Sequence, residues 1–278
     1  MYIDFLSDDA RSKAAARALD CDHHARSGVI LSPNEPPPDV LVLPIPPTRD
    51  GIHPTGMPDL TLTELGRLLT ERAPNALLIG YGPCPAALEH MAYDDLEAHR
   101  SFINRNATLT AEGGMTMILD ELRARGGYSL SEMVIVILGF GRIARSIATC
   151  LAGFGCRILV GARRTAARAA ADAKGYFSFD ITDKSFFDER GELLFADRLH
   201  ILINTVPSSD VIETAVRMPN ALFGIELSGK PHVLASCMKL PYPVLDGRSL
   251  PTRYTPEAAG IALAAAIRHS LKDRMSIN

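Results

Sequence analysis

The segment that follows the apolar run Val134–Leu138 has the residue spacing most specific for chemistry. The run is typical of a strand buried on both faces of a parallel sheet, and the pattern GxGxxA follows it from Gly139 to Ala144. Gly139 permits a tight turn, and Gly141 lets the backbone approach a pyrophosphate at the start of the next helix. The alternative is an ordinary glycine-rich turn. We predict a dinucleotide-binding site contacted by Gly139, Phe140, Gly141, Arg142 and Ile143.

The second strand of this unit, Arg157–Val160, ends in the basic sequence Gly161-Ala162-Arg163-Arg164. Sites selective for NAD place an Asp or Glu about twenty residues after the glycines, where it binds the ribose hydroxyls. A guanidinium at that position instead binds a 2′-phosphate through charge-assisted hydrogen bonds. We therefore predict that the cofactor is NADP and that Arg163 and Arg164 bind it. The alternative is that both arginines only cap a solvated helix start.

A further buried strand, Leu199–Asn204, leads into Thr205-Val206-Pro207. In dinucleotide-binding folds the end of this strand lies beside the nicotinamide half of the cofactor. Thr205, Val206 and Pro207 therefore complete the predicted cofactor site.

Short strands and helices alternate along the whole chain, which is typical of α/β domains. The fold class we predict is α/β, with a Rossmann-type doubly wound parallel sheet and a smaller flavodoxin-like α/β domain. Residues 1–109 would form the smaller domain, completed by a C-terminal helix at 255–278. Residues 110–254 would form the Rossmann domain, including an interdomain helix over Thr110–Leu122 that Thr110 caps. Further predicted strands include Val29–Leu31 and Val233–Ala235.

Composition excludes several classes of function. The chain has 278 residues, 47% of them hydrophobic, and a net charge of −3, with no long run of either sign, so we expect no nucleic-acid partner. No apolar run reaches membrane-spanning length and no signal peptide is recognisable, so we expect a cytoplasmic protein without a membrane partner. Five cysteines lack CxxC spacing, and His23-His24 lacks a distant partner, so we expect neither disulfides nor a metal.

Several segments together resemble the A subunit of dipicolinate synthase. They are Asn106 to Gly113 (NATLTAEG), Gly139 to Arg142, Val160 to Arg163 (VGAR), Ile203 to Pro207, Leu250-Pro251 and Ala258 to Gly260. The resemblance implies a Rossmann domain inserted into a smaller α/β domain. It also implies NADP-linked oxidation of a hydroxy-tetrahydrodipicolinate to dipicolinate in sporulation, with a flavoprotein-type second subunit. We also expect a homo-oligomer. The chain departs from the family pattern at Glu226 to Pro231 and at Thr252.

Catalytic candidates are fewer than cofactor candidates. Glu112 is the predicted acid or base, because an interdomain position in a first helical turn would desolvate it and raise its pKa. Ser228, next to Glu226, is the second predicted catalytic residue. A small dicarboxylate substrate needs cations, and the predicted candidates in loops at the cleft edge are Arg11, Arg49, Lys230 and Arg253.

Two other functions remain open from the sequence. The chain could be a non-catalytic dinucleotide-binding sensor or assembly subunit, because no nucleophile and base form a recognisable set. It could also be a 2-hydroxyacid dehydrogenase-like oxidoreductase of another substrate. Such enzymes need an arginine near the end of the strand that here ends in Glu226, where the chain has Ser228 and Gly229 instead.

Overall fold

A computed structural model describes residues 1–275 except 29–30, 32–33, 184, 186–199, 219, 230–231, 235 and 238. The chain divides into two compact units. Unit 1 comprises Met1–Leu109 and Pro251–Asn278, and unit 2 comprises Thr110–Leu250. Within the described chain, no helix is both long enough and apolar enough to cross a membrane.

Unit 1 is built on a five-stranded parallel sheet whose strands lie in the order β2-β1-β3-β4-β5. This is the flavodoxin-like order, in which the chain reverses direction across the sheet after β2. The strands are β1 (Tyr2–Phe5), β2 (His24–Ser27), β3 (Val40–Val42), β4 (Leu77–Gly80) and β5 (Ala92–Asp95). The helices are α1 (Ala10–Leu19) and α2 (Leu62–Arg72), followed by α3 (Arg100–Ala124), which starts in unit 1 and continues into the sequence of unit 2.

Unit 2 is built on a six-stranded parallel sheet in the order β11-β10-β9-β6-β7-β8. Counted within the unit this is the Rossmann order, with the switch point between the first and fourth strands. The strands are β6 (Val134–Leu138), β7 (Arg157–Gly161), β8 (Phe177–Phe179), β9 (His200–Asn204), β10 (Ala221–Glu226) and β11 (Val244–Asp246). The helices are α4 (Arg142–Gly153), α5 (Thr165–Asp172) and α6 (Asp210–Val216). The two parallel sheets confirm the predicted α/β fold class.

The last two helices are α7 (Leu250–Tyr254) and α8 (Pro256–Met275), and α8 packs on α1 inside unit 1. Leu263, Ile267 and Leu271 of α8 join the core that the strands and α1 form. The two helices touch at Gly260, where an added Cβ would overlap the Ala14 side chain and lie 2.7 Å from the Ala15 nitrogen. Only glycine permits this separation of the helix axes.

Two predicted elements are wrong. The helix predicted to start at Thr110 starts at Arg100, because nothing between them breaks a helix and Phe102, Ile103 and Ala107 supply a buried face. Thr110 therefore does not cap the helix. Val233 and Leu234 form a turn instead of a strand, because Leu234 donates its N–H to a Glu226 carboxylate oxygen at 2.7 Å rather than to a neighbouring strand.

The second strand of unit 1 is His24–Ser27, which precedes the strand predicted over Val29–Leu31. Residues 29–30 of that predicted strand lie outside the described part of the chain. The same holds for Ala235 of the strand predicted over Val233–Ala235. β5 was not predicted, because its sequence AYDD has only one strongly strand-forming residue.

Candidate dinucleotide-binding site

A pocket of about 470 Å³ opens at the carboxyl ends of β6, β7 and β9 in unit 2. The rule for open parallel sheets places ligands at this edge, where the strand order reverses. Eight of the ten predicted cofactor residues line it: Gly139, Phe140, Gly141, Arg163, Arg164, Thr205, Val206 and Pro207. Sequence reasoning missed a further set of lining residues, namely Arg145, Ala162, Ala166, Ala167, Ile181, Ser208 and Asp210. Arg142 and Ile143, the first two residues of α4, do not line it.

The glycine turn has the geometry that a phosphate cradle requires. Gly139 has φ of +89°, and an added Cβ would lie 2.6 Å from Thr205 Oγ1 and 2.7 Å from Val206 Cγ2. Gly141 is the N-cap of α4, and an added Cβ there would have no atom within 4 Å. The first turn of α4 thus faces open space with no side chain capping it, and its N–H groups suit an anion.

The basic end of β7 contains two arginines in different environments. Arg163 Nη1 lies 2.7 Å from Asp210 Oδ2, in an ion pair whose members are both substantially exposed. Arg164 is the N-cap residue of α5, and its side chain makes no capping hydrogen bond. Within the described chain, Arg164 has no ion pair. The alternative that these arginines only cap a solvated helix start fits the position of Arg164, whereas Arg163 also pairs with Asp210.

A third arginine, Arg168, holds the backbone of this loop in place. It donates to the carbonyl oxygens of Ala162 at 2.8 Å and Arg163 at 2.7 Å. Its charge is balanced by Asp180 at 2.7 Å. Hydrogen bonds from Thr182, and secondarily Arg168, lower the pKa of the Asp180 carboxyl. These contacts stabilise the conformation of the loop after β7.

Arg145 adds positive charge on the other side of the pocket. Its Nε donates to the Phe140 carbonyl at 3.0 Å, and its guanidinium lies over the Phe140 ring, 5.4 Å from the centroid. The signal in the sequence that could have indicated Arg145 is its place four residues after Gly141, in the first turn of α4. Among the described residues that line the pocket, three are arginines and Asp210 alone is acidic. This excess of positive charge favours binding of the phosphate groups of a dinucleotide.

Asn204 and Thr205 fix the loop after β9. The Asn204 amide donates to the Val206 carbonyl at 3.1 Å and accepts the Val206 N–H at 3.0 Å. The Thr205 hydroxyl and N–H both donate to the Leu138 carbonyl, at 2.8 and 3.0 Å. These hydrogen bonds hold the backbone of the loop against β6 at the edge of the pocket.

Glu226 positions its surroundings and faces neither pocket nor solvent. Its side chain is 1% exposed and accepts three hydrogen bonds, from the Asn204 amide at 2.8 Å and from the N–H groups of Ser228 at 3.3 Å and Leu234 at 2.7 Å. Ser228 is itself buried and donates its hydroxyl to the Gly229 carbonyl at 3.0 Å. Ser228 does not line the pocket.

Glu112 does not have the burial that was predicted for it. It lies in the middle of α3 with its side chain exposed, and it does not line the pocket. Its negative charge acts on Cys150 of α4, where burial first and then Glu112 raise the pKa of the thiol. The expectation that Glu112 is desolvated is wrong: α3 starts at Arg100, so Glu112 lies in mid-helix instead of the first turn, on an exposed position of the helix.

The four basic residues predicted to hold a dicarboxylate differ sharply in environment. Arg11 is buried in unit 1, whereas Arg49 is half-buried. Arg253 is exposed, with its guanidinium 5.4 Å from the centroid of the Tyr254 ring. Lys230 lies outside the described residues.

Comparison with known proteins finds a family match over the segment that contains the glycine turn and the arginines after β7. Residues 96–185 match the family model for the D-isomer specific 2-hydroxyacid dehydrogenase NAD binding domain. No curated protein matches the sequence of this chain. Among solved structures, the A subunit of dipicolinate synthase from Bacillus halodurans matches with a TM-score of 0.74 and 20% identity, over 97% of each chain.

Two further structures have related folds. Dipicolinate synthase from Bacillus subtilis matches with a TM-score of 0.71 and 19% identity, over 100% of this chain and 98% of that one. D-Lactate dehydrogenase from Escherichia coli matches with a TM-score of 0.59 and 13% identity, over 99% and 98%. The predicted resemblance is confirmed in the fold: this chain has the fold of the dipicolinate synthase A subunit, and its residues 96–185 are similar to the NAD binding domain of D-isomer specific 2-hydroxyacid dehydrogenases.

Proposed function

We propose that this chain is an NADP-dependent oxidoreductase of the dipicolinate synthase type, which oxidises a hydroxy-tetrahydrodipicolinate to dipicolinate in sporulation. The observation that carries the cofactor assignment is the basic end of β7. Arg163 and Arg164 line the pocket there, and the single acidic side chain among the described lining residues, Asp210, is already paired with Arg163. A 2′-phosphate meets two guanidinium groups at this edge, whereas an NAD-selective site would present a carboxylate.

The proposed reaction balances with one dinucleotide. The substrate ring would lose its hydroxyl group and a neighbouring proton as water. Loss of a hydride and of a second proton to a base would then leave an aromatic pyridine ring, and NADP, when bound, would supply the hydride acceptor. The loop Thr205 to Pro207, fixed by Asn204, would hold the nicotinamide half. Glu112 is the base that we propose, and its exposure lets it exchange the proton with water. Ser228 stays a predicted catalytic residue.

The assay follows NADPH formation by near-ultraviolet absorbance and dipicolinate by mass spectrometry. It compares the purified chain alone with the chain plus a flavoprotein-type second subunit of dipicolinate synthase, the partner that we propose. Turnover of the hydroxy-tetrahydrodipicolinate supports the assignment. NADP binding without turnover of any substrate, with the second subunit present, would instead favour the non-catalytic sensor or assembly subunit.

Glu112 is tested by Glu112→Gln, with Asp120→Asn on the same helix as the matched control. General base catalysis contributes about a hundredfold or more, so turnover should fall by at least that factor while NADP affinity stays unchanged. Asp120→Asn should change neither quantity. Full turnover in the Glu112→Gln variant would eliminate Glu112 as the base.

The match of residues 96–185 to the 2-hydroxyacid dehydrogenase model favours one second candidate. An oxidoreductase of another hydroxy acid would use the same dinucleotide pocket. The described residues after β10, Leu227 to Gly229, contain no arginine to bind a 2-hydroxy acid, which disfavours this candidate. A panel of 2-hydroxy acids in the same assay separates the two candidates.

A further inference from the structure

Arg11 lies at the topological switch point of the unit 1 sheet. The chain leaves β1 for β2 on one side and continues from β2 to β3 on the other side of β1. The loops after β1 and β3 therefore diverge at the carboxyl edge, the place where open α/β sheets bind their ligands. Arg11 is in the first turn of α1, directly after the β1 loop, and its Nη2 reaches the Ile45 carbonyl in the loop after β3 at 3.4 Å.

The Arg11 guanidinium is buried with too few partners for its charge. The residue is 5% exposed, and the long bond to Ile45 is accompanied only by a weak ion pair, 3.9 Å from Nη2 to Asp9 Oδ2, in the described part of the chain. Its Nε is buried and has no hydrogen-bond partner among the described residues. A guanidinium has five N–H donors, so most of its bonding capacity is unused.

The neighbouring carboxylates that the structure describes each bind another group as well, and only Asp9 Oδ2 approaches Arg11. Asp9 caps α1 by accepting the Ser12 N–H at 2.7 Å, and Asp8 pairs with Lys13 at 2.9 Å. Burial lowers the pKa of Arg11, and the charge of Asp9 acts in the opposite direction. A buried cation is destabilising unless an anion and hydrogen bonds compensate it, and the described residues supply little of either.

We propose that Arg11 binds a carboxylate group of the substrate at the switch point of unit 1. The fork of N–H groups matches a carboxylate in geometry. A phosphate fits this place less well, because the loop Ser7-Asp8-Asp9 has no glycine to bring backbone N–H groups close and contributes two negative charges. The identity of the ligand as a pyridine-type dicarboxylate rests on the proposed function, whereas the carboxylate site itself rests on the environment of Arg11.

The test is calorimetric titration of the full chain, saturated with NADP, with pyridine-2,6-dicarboxylate and pyridine-2-carboxylate. Arg11→Met removes the guanidinium and keeps most of the side-chain volume. Arg17→Met is the matched control, because Arg17 lies on the same helix, exposed and paired with Glu257. Losing one charge-assisted pair should weaken dicarboxylate binding about tenfold or more in Arg11→Met, and less than about twofold in Arg17→Met. NADP affinity should not change in either variant.

Thermal unfolding separates binding from a purely structural role. Because the charge of Arg11 is poorly compensated, Arg11→Met should unfold at the same or a higher temperature than the parent, and only its stabilisation by dicarboxylate should be lost. If Arg11→Met does not fold, Arg11→Lys keeps a charge without the planar fork and should also weaken binding.

These outcomes test the carboxylate site at Arg11 separately from the proposed oxidation reaction. Dicarboxylate binding that depends on Arg11, without turnover of the proposed substrate, keeps the site and rejects the reaction. Turnover with an unchanged KM in the Arg11 variants keeps the reaction and overturns the site. Failure of the parent chain to bind either pyridine carboxylate would also overturn the site.

Discussion

Arg164→Gln is the most direct test of cofactor choice, because Arg164 follows β7, where a 2′-phosphate would bind, and has no ion pair to give up within the described chain. No ion pair among the described residues would be lost when Arg164 binds a 2′-phosphate, so the whole free energy of the new bond would add to NADP affinity. A hydrogen bond to a charged group is worth about 1.5–3 kcal/mol. Arg164 is exposed, so the lower end applies, which corresponds to about a tenfold loss of NADP affinity. NAD affinity should not change.

The ion pair with Asp210 reduces the free energy that Arg163 can contribute to NADP binding. To bind the phosphate, Arg163 must leave an ion pair of two largely exposed groups, which is worth about 0.2–1 kcal/mol. The net contribution of Arg163 is smaller by that amount, so Arg163→Gln should weaken NADP binding less than Arg164→Gln does. Asp210→Asn releases Arg163 and should strengthen NADP binding by up to about fivefold.

The assay is calorimetric titration of parent and variants with NADP and NAD at one fixed ionic strength, repeated at higher salt. Arg123→Gln is the control, because Arg123 is an exposed arginine of unit 2 that lies outside the pocket. The preference for NADP should shrink with salt, since exposed charges are screened. Equal affinities of the parent for the two cofactors, or an unchanged NADP affinity in Arg164→Gln, would refute the assignment of NADP.

Three other substitutions test separate features. Arg163→Asp should invert the cofactor preference, seen as tighter binding of NAD than of NADP, because a carboxylate accepts ribose hydroxyls and repels the phosphate. Gly139→Ala should abolish dinucleotide binding in the same titration, since a Cβ at this positive φ would collide with Thr205. Gly260→Ala should destabilise the protein by about 1–3 kcal/mol in thermal or chemical unfolding. Gly153→Ala, with open space around it, should not, and equal effects of the two would contradict the close helix contact.

The nucleotide-binding unit could be predicted because its signals are local. The strand Val134–Leu138 has the bounds that its apolar run indicates, and the glycine turn follows at the required spacing. The Arg163–Asp210 pair joins residues 47 positions apart, so no local pattern could reveal it. The start of α3 was misplaced because a threonine before an acidic residue looks like a cap, while the actual helix is stabilised by upstream apolar residues that pack in the core.

Burial of charged residues was the least predictable property. Arg11 lies in the sequence ARSKAAARAL, where the neighbouring Lys13 and Arg17 are exposed and nothing distinguishes Arg11 from them. Glu226 ends a buried strand, a signal that could have indicated a carboxylate held by backbone N–H groups. Its hydrogen-bond partner Asn204 is 22 residues away in sequence, and the pairing becomes visible only when β9 and β10 lie side by side.

The contact between α1 and α8 also has a consequence for the order in which the chain folds during synthesis. Arg17 and Glu257, which bridge the two helices, are 240 residues apart, and all of unit 2 lies between them in sequence. Unit 2 is continuous, so it can fold as soon as it leaves the ribosome. The apolar face of α1 stays exposed to solvent until α8 has been synthesised, because Leu263, Ile267 and Leu271 of α8 complete the core of unit 1. Unit 1 begins before unit 2 in the sequence but is completed after it, and in the interval its exposed apolar surface can bind chaperones or aggregate.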